Sequence, residues 1–355
     1  MIVYFIVIVI ILLLRYNLDP HRIGNPDYAT ENRYLKVVCG IMVFLAGVRA
    51  STVGADTISY MADYTADSSL SLAQVVQKHG SLGAGYFFFM KLFSLTGMSV
   101  HWWFAVVELF YVFAVYSFIQ EYSNDKLVSI LCFFTIGLYS FSLAGLKQTT
   151  SMGFAILAFL ALNNKKYIPA VISAILSYWC HSAAAIFAFG LVCYYLRNWK
   201  YYYLILSFFF IAVLLWGDSL WSASIDLLND DHYTELYAEA DNIYSSTTYI
   251  FYLLLLLIMI FPWRNYSKVN TEESRILYGM TLIATAFQSL ATSFSTAFRV
   301  AYYFLPFMIV LIPNCCNYLK SNENKRLWKI GLCLICIFWC LYTGRANRFA
   351  FFWNE

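Results

Sequence analysis

The stretch HWWFAVVELFYVFAVYSFI, residues 101–119, contains a single charged residue, Glu108. An α-helix needs about 20 mostly apolar residues to cross the hydrocarbon core of a bilayer, and this run is of that kind. Hydrophobic residues make up 61% of the 355-residue chain and charged residues 12%, against about 25% charged residues in soluble domains. The sequence therefore predicts an all-α polytopic membrane protein with about 12 transmembrane helices. The other apolar runs lie at 2–14, 35–48, 127–144, 148–163, 167–180, 182–196, 201–216, 249–263, 276–293, 301–319 and 330–344.

The apolar segment 83–97 differs from these runs because it is short, flanked by glycines and carries Lys91. We place the N-terminus outside, since the inner loops then hold most of the 23 Lys and Arg residues, as the positive-inside rule requires. A full crossing by this segment would turn Lys165 and Lys166 outward. The segment is therefore predicted to be re-entrant or interfacial.

Two long external loops follow from this topology, at about 49–100 and 217–248, within a single transmembrane domain that covers residues 1–355. The second loop is acidic and has no Lys or Arg. Its pairs Asp230-Asp231 and Glu239-x-Asp241 fit either a divalent-metal site or a solvated surface, and we favour the surface. We expect a metal-independent protein without a cofactor. The net charge of +3 gives no indication of nucleic-acid binding.

The stretch RASTVGADTISY, residues 49–60, directly follows the second apolar run and places a cation, a carboxylate and a phenol at the predicted outer level. Lys147, His181 and Arg299 fall at the same level. An Arg side chain neutralises a diphosphate leaving group well because its planar fork meets two phosphate oxygens, and Lys acts as a point charge. Asp56 and His181 are candidates for the group that accepts the proton of an attacking hydroxyl. These positions predict a pyrophosphate site at the outer face.

Each of these residues also has a purely structural interpretation. Arg49, Arg299 and Lys147 could anchor helix ends at the lipid headgroups. Asp56 could cap the helix that follows it, because Asp is a favoured capping residue. His181 could hydrogen-bond the backbone at a helix break. The occurrence of all five residues at one predicted level favours the functional interpretation.

Four blocks along the chain resemble a known family. They are Gly47-Val48-Arg49 with the pattern Arg-x-x-x-Val-Gly-x-Asp-Thr-x-x-Tyr at 49–60, Lys147-Gln148, His181-Ser182-Ala183, and Arg299-x-x-Tyr302-Tyr303-Phe304. In this order they resemble the EpsG-like, Wzy-type polysaccharide polymerases. The family more often has Arg at the second block, and Lys147 departs from that pattern.

The resemblance implies a membrane glycosyltransferase of GT-C-like architecture in the bacterial inner (cytoplasmic) membrane, with its active site facing the periplasm or the cell exterior. Such hexosyltransferase-type enzymes transfer a growing glycan from undecaprenyl pyrophosphate to a hydroxyl of the next undecaprenyl-pyrophosphate-linked repeat unit. The products are the O-antigen of lipopolysaccharide, capsule or exopolysaccharide. The implied partners are the lipid-linked oligosaccharide, membrane lipid, a chain-length regulator and a flippase.

The resemblance also suggests roles for single residues. Arg49, Arg299 and Lys147 are expected to hold the donor pyrophosphate, and Asp56 or His181 is expected to be the catalytic base. The residues expected to position sugars are Tyr60, Gln148, Tyr302 and Tyr303.

Two other functions stay open at this stage. A transporter or flippase of lipid-linked oligosaccharide would also need outer cations, although its site should lie near the bilayer midplane, often between inverted repeats. An O-antigen ligase-type glycosyltransferase would use the same kind of donor. The chain shows no internal repeat, which favours a glycosyltransferase over a transporter.

Overall fold

A computed structural model describes residues 2–17, 28–80, 83–228, 242–265, 270–294, 297–344 and 349–354. The contacts divide the chain into two compact units, Met1–Ala185 with Ile330–Glu355, and Ile186–Lys329. Each unit is described by itself, and a single transmembrane domain stays a prediction. Within the described residues the regular secondary structure is helical, with an isolated antiparallel bridge between Arg49 and Phe351.

The first unit is built from helices that match the predicted apolar runs and from three shorter helices in the predicted outer loop. They are α1 (Ile2–Asn17), α2 (Tyr28–Val48), α3 (Thr57–Asp67), α4 (Leu72–His79), α5 (Ala84–Ser94), α6 (Val100–Tyr122), α7 (Lys126–Thr135), α8 (Leu138–Ala144), α9 (Leu146–Asn163) and α10 (Tyr167–Cys180).

The second unit contains the helices between the 3₁₀ turn Ser182–Phe187 and the last long helix of the chain. They are α11 (Ala188–Leu196), α12 (Tyr202–Leu228), α13 (Asn242–Ile260), α14 (Glu272–Leu290), α15 (Phe298–Ala301) and α16 (Leu305–Cys316), followed by the start of α17 (Asn322–Thr343). The predicted acidic loop 217–248 is shorter than expected, because α12 continues to Leu228 and α13 begins at Asn242. Its acidic pairs at 230–231 and 239–241 lie outside the described residues.

The helices have the length and composition of a membrane protein. Within the described residues, Val100–Tyr122, Ser246–Trp263 and Asn322–Thr343 are long and apolar enough to cross a bilayer, and the pair α7–α8, bent by 51°, adds a fourth if it is one span. Shorter apolar helices, such as α1 and α10, accompany them. The protein is thus an all-helical membrane protein, whereas about 12 spans and a GT-C-like architecture stay predictions.

The packing of α9 against α10 is typical of helices that meet in lipid. On α10, Ile168 and Ile175 are exposed while Ser177 is buried. Ser177 Oγ donates to the carbonyl oxygen of Ser151 on α9 at 2.8 Å, and Ser151 Oγ donates to the carbonyl oxygen of Ser177, also at 2.8 Å. Small polar residues at the interface with an apolar face outside are what a bilayer favours.

A polar network joins helix ends that the positive-inside rule places together on the inner side. Arg15 Nη2 at the end of α1 lies 3.0 Å from Asp125 Oδ2 at the start of α7. The backbone N–H of Lys126 donates to Glu31 Oε1 on α2 at 2.8 Å, and Lys126 Nζ donates to Gln120 Oε1 at the end of α6 at 2.6 Å. The ends of α1, α2, α6 and α7 therefore meet at one end of the first unit.

The chain between α2 and α6 leaves and re-enters the first unit at its other end. A Cβ atom added to Gly47 near the end of α2 would lie 3.1 Å from Ala105 Cβ and 3.7 Å from the carbonyl oxygen of His101, at the start of α6. The chain between α2 and α6, which includes α5, therefore begins and ends at the same end of the unit. That the segment 83–97 is re-entrant or interfacial stays a prediction.

Candidate functional site

Arg49 lies at the end of α2 and is completely buried, with 0% of its surface exposed. Its guanidinium carbon lies 4.3 Å from the centroid of the Phe104 ring, and Nη1 donates to the carbonyl oxygen of Ala46 at 3.3 Å. Nε and Nη2 have no hydrogen-bond partner within the described residues. A completely buried guanidinium does not reach lipid headgroups, so the interpretation of Arg49 as a headgroup anchor was wrong. A buried cation of this kind needs acceptors, since burial of an unpaired charge is strongly destabilising.

Glu108 is the acidic residue that acts electrostatically on Arg49. It follows Phe104 by one helical turn, on the face of α6 that the guanidinium covers, and it is also 0% exposed. The hydroxyl of Ser142 lies beside its carboxylate but donates its single proton to the carbonyl oxygen of Tyr139 at 2.7 Å. Within the described residues neither carboxylate oxygen accepts a hydrogen bond. Glu108 thus balances the charge of Arg49 and leaves Nε and Nη2 for another acceptor.

The Val-Gly-x-Asp-Thr pattern is locked against the end of α8. Gly54 has φ +96°, and a Cβ atom there would lie 2.5 Å from the carbonyl oxygen of Leu143. Thr57 Oγ1 donates to the carbonyl oxygen of Val53 at 2.6 Å and lies 3.4 Å from that of Leu143. Only glycine allows both this backbone conformation and this approach. The pattern therefore holds the first block against the segment that leads into Lys147.

Tyr60 connects the first two blocks directly. The backbone N–H of Lys147 donates to Tyr60 Oη at 3.3 Å. The ring of Tyr60 is buried and lies edge-on to Tyr86 at 5.3 Å, and Tyr86 Oη accepts from Trp103 Nε1 at 2.9 Å. Gln148, next in the chain, is buried as well. Tyr60 and Gln148 therefore lie inside the unit, where they position Lys147 and α9 more directly than they can position a sugar.

The start of α5 brings Lys147 together with the end of α10. The backbone N–H of Gly83 donates to the carbonyl oxygen of Trp179 at 3.0 Å. A Cβ atom on Gly83 would lie 3.4 Å from Lys147 Nζ and 3.9 Å from the carbonyl oxygen of Cys180, the residue before His181. The structure thus places Arg49, Lys147 and His181 at the same end of the first unit, as their predicted level required.

The two predicted base candidates have different surroundings. His181 is the C-cap of α10, and its Nδ1 accepts the backbone N–H of Ala183 at 3.2 Å, so its structural interpretation is confirmed. Asp56 occupies the N-cap position of α3, but its side chain accepts no capping hydrogen bond. The helix does begin at Thr57 with Asp56 as its N-cap, as the capping interpretation predicted, but without a capping hydrogen bond to the carboxylate.

The fourth block, residues 299–304, belongs to the second unit. Arg299 is half-buried on the one-turn helix α15, and Tyr302 at the C-cap has its ring 5.6 Å from that of Phe298. Tyr303 is buried, and the Phe304 ring stacks on Phe287 of α14 at 6.0 Å. The Tyr-Phe end of the block therefore fixes the turn in the core of this unit, while Arg299 lies on the turn.

Sequence reasoning missed two parts of the site. Glu108 was noticed only as a lone charge in an apolar run, which is the signal that could have found it. The C-terminal segment 349–354 lies against the first block, since the backbone N–H of Ala50 donates to the carbonyl oxygen of Ala350 at 2.9 Å and the Phe352 ring lies 4.7 Å from that of His101. No pattern in the sequence indicates that this segment contacts the first block.

We expect Gly54→Ala to lower both thermal stability and activity, because the new methyl group meets a carbonyl oxygen and the positive φ is strained by about 1–3 kcal/mol. Thermal unfolding in detergent and glycan synthesis in cells measure the two effects. Gly97→Ala shares the positive φ without a neighbour within 4 Å, and Gly40→Ala has neither feature. If all three variants behave alike, the packing of Gly54 on α8 is not needed.

The described residues contain no group of three or more His, Cys, Asp or Glu side chains that could hold a metal ion. The acidic pairs at 230–231 and 239–241 are outside that part of the chain. Fold and site together define an all-helical membrane protein in which a buried arginine and a buried glutamate interact electrostatically at one end of a helix bundle, on the side of a lysine and a histidine.

Residues 32–354 match the EpsG family, and the chain therefore belongs to the EpsG family. Membership indicates a role in polysaccharide synthesis as a polymerase or glycosyltransferase. No curated protein and no solved structure matches the chain.

Proposed function

We propose that the protein is a Wzy-type polysaccharide polymerase. It transfers a growing glycan from undecaprenyl pyrophosphate to a hydroxyl of the next undecaprenyl-pyrophosphate-linked repeat unit, at the outer face of the inner membrane. The anomeric carbon of the donor is attacked by the acceptor oxygen, the bond to the pyrophosphate breaks, and the pyrophosphate leaves with the electron pair. The reaction therefore needs charge neutralisation at the leaving group and a proton acceptor at the hydroxyl.

The observation that carries this proposal is the buried guanidinium of Arg49 with Nε and Nη2 lacking acceptors within the described residues. Guanidinium groups bind phosphate oxygens through two parallel hydrogen bonds. In a buried setting such an interaction is far stronger than in water and costs no reorganisation during the reaction. A pyrophosphate at Arg49 would satisfy both nitrogens.

Access to Arg49 requires one neighbour to move. The segment 349–354 pairs with Arg49 and Ala50 through an isolated bridge and one 2.9 Å hydrogen bond. Unlike α2 and α6, this segment is not part of a long helix. We assign it the displacement that admits the pyrophosphate.

The remaining site residues keep roles that the resemblance to the family implies. Lys147, whose Nζ lies near Gly83, assists with the pyrophosphate. Arg299 keeps its predicted role as a phosphate-binding cation. Asp56 or His181 accepts the acceptor proton. Tyr302 positions sugars, whereas the buried Tyr303 holds the turn on which Arg299 lies, and no metal or cofactor takes part. A flippase that supplies lipid-linked units and a chain-length regulator are the partners.

The proposal is tested with purified protein, undecaprenyl-pyrophosphate-linked repeat units from its own host, detergent, chelator and no nucleotide. A ladder of longer glycans is expected from the wild type and is expected to be absent for Arg299→Ala. Protein-dependent movement of the same lipid across liposomes without any ladder would overturn the polymerase in favour of a transporter. Transfer of glycan to a different acceptor without elongation would favour a ligase.

A further inference from the structure

A carboxylate–imidazole pair lies in the chain segment that connects α2 to α6, and neither residue belongs to the candidate site described above. His79 Nε2, at the end of α4, lies 2.8 Å from Asp67 Oδ2, at the end of α3. Lys78 Nζ donates to the other oxygen, Asp67 Oδ1, at 2.8 Å. Asp67 is 1% exposed, whereas the His79 side chain is 11% exposed. We call Asp67 and His79 the dyad.

Of the two basic side chains on Asp67, only His79 is suited to accept a proton. The hydrogen bond from Lys78 to Asp67 raises the pKa of Lys78 above its ordinary value, and Asp63, 3.6 Å from Nζ, acts in the same direction. Lys78 therefore stays protonated and serves as a fixed cation. An imidazole held by a buried carboxylate is the usual arrangement of a general base, since the carboxylate orients the ring and stabilises its protonated form.

The dyad borders the candidate site. The His79 ring stacks on the Phe87 ring with 3.5 Å between centroids and an angle of 7°. Lys147 Nζ lies 6.0 Å from the centroid of that same Phe87 ring. Phe87 is therefore in contact with His79 and faces the cation that is assigned to the pyrophosphate.

One ring nitrogen of His79 contacts Asp67, and the other can accept a proton. Nε2 faces the carboxylate, and within the part of the chain that the structure describes His79 Nδ1 makes no hydrogen bond. His181, in contrast, uses its Nδ1 to accept the backbone N–H of Ala183. The dyad is thus better arranged to deliver a free, oriented ring nitrogen than the histidine that the sequence singled out.

We propose that His79, oriented by Asp67, is the general base that activates the acceptor hydroxyl. This inference rests on the proposed function and changes one assignment in it, because His79 takes the place of Asp56 and His181 as the proton acceptor. His79 Nδ1 takes the hydroxyl proton while the acceptor oxygen forms its bond to the anomeric carbon of the donor. The bond from that carbon to the pyrophosphate breaks, and the leaving group keeps the electron pair. The proton on His79 then passes to water or to the departing pyrophosphate, and the base is restored.

A structural clamp between α3 and α4 is the competing explanation, and His79→Gln separates the two. The Gln amide donates to Asp67 as the imidazole does and fills similar space, but it accepts no proton. A clamp role predicts normal activity for this variant. Loss of a general base predicts a fall in elongation rate of about 10²–10⁴-fold, with unchanged binding of the donor lipid and an unchanged thermal unfolding midpoint.

Two further variants complete the test. Ser71→Ala breaks the capping box of α4, formed by Ser71 and Gln74, and loosens the helix without touching the dyad. It is expected to lower the unfolding midpoint and to keep the elongation rate. His79→Ala is expected to be inactive, and added imidazole is expected to restore part of its rate, which a clamp would not allow.

The outcomes also separate this inference from the proposed function. Wild-type protein that forms a ladder, together with His79→Gln that elongates at the wild-type rate, overturns the role of His79 and leaves the polymerase intact. Absence of a ladder from the wild type itself overturns the polymerase. A ladder from the wild type, loss in His79→Gln and rescue of His79→Ala by imidazole support both.

Discussion

Arg49→Lys is expected to lower the rate of glycan elongation by about 10²–10³-fold, the range found when a preorganised donor to a developing charge is removed. Lysine keeps the positive charge near Glu108 but lacks the planar fork, so it cannot make two parallel hydrogen bonds to phosphate. The in vitro ladder assay measures the rate. We expect the unfolding midpoint to change little, because the charge balance of the buried pair is kept.

The control for this change is Arg33→Lys, since Arg33 lies on the same helix, α2, and is exposed. Its rate is expected to equal that of the wild type. An Arg49→Lys protein that elongates at the wild-type rate would show that charge alone is needed at this position and that the bidentate assignment is mistaken.

Glu108→Leu is expected to reduce the free energy of unfolding by about 3–5 kcal/mol, the cost of leaving one member of a buried charged pair uncompensated. Glu108 is the acidic residue that acts on Arg49, and both side chains are 0% exposed. Unfolding in detergent by heat or denaturant gives the measurement. Glu121→Gln, an exposed change on the same helix, is the control, with an expected effect within about 0.5 kcal/mol.

The double variant Arg49→Met with Glu108→Leu tests whether the two charges compensate each other. Removing both charges together is expected to restore most of the lost stability, since apolar residues of similar volume often replace buried ion pairs without cost. The double variant is expected to be inactive, because it lacks the guanidinium that binds the pyrophosphate. If Glu108→Leu alone is as stable as the wild type, the two residues do not compensate each other.

The helices could be predicted from apolar runs, but their breaks could not. The run 127–144 reads as one span, whereas the structure divides it into α7 and α8 with a bend of 51°. Gly137, with φ +108°, is the N-cap of α8 and permits the turn. Glycine occurs in many straight membrane helices, so its presence in a run does not by itself predict a bend.

The site was partly predictable for a similar reason. The common level of Arg49, Lys147 and His181 follows from helix ends and the positive-inside rule, and the structure brings these three together in the first unit. The burial of Arg49 did not follow, because it depends on Phe104 and on the segment 349–354, which is distant in sequence. Long-range contacts of this kind leave no local pattern.

The dyad could not be predicted from the sequence either. Asp67 and His79 sit in a polar stretch that reads as loop, and nothing in their spacing distinguishes them from other loop residues. Their contact arises because α3 and α4 both end at this point, while α5 supplies the stacking partner Phe87. The contact between Asp67 and His79 depends on the relative positions of α3, α4 and α5, which the sequence does not predict.

The central claim is that Arg49 binds the pyrophosphate of the donor lipid, and equilibrium binding of undecaprenyl pyrophosphate to purified protein tests it most directly. The wild type is expected to bind this lipid more tightly than undecaprenyl monophosphate. The double variant Arg49→Met with Glu108→Leu, which should stay folded, is expected to bind it at least about tenfold more weakly, which is about 1.4 kcal/mol. Equal Kd values for the wild type and the double variant would contradict the claim.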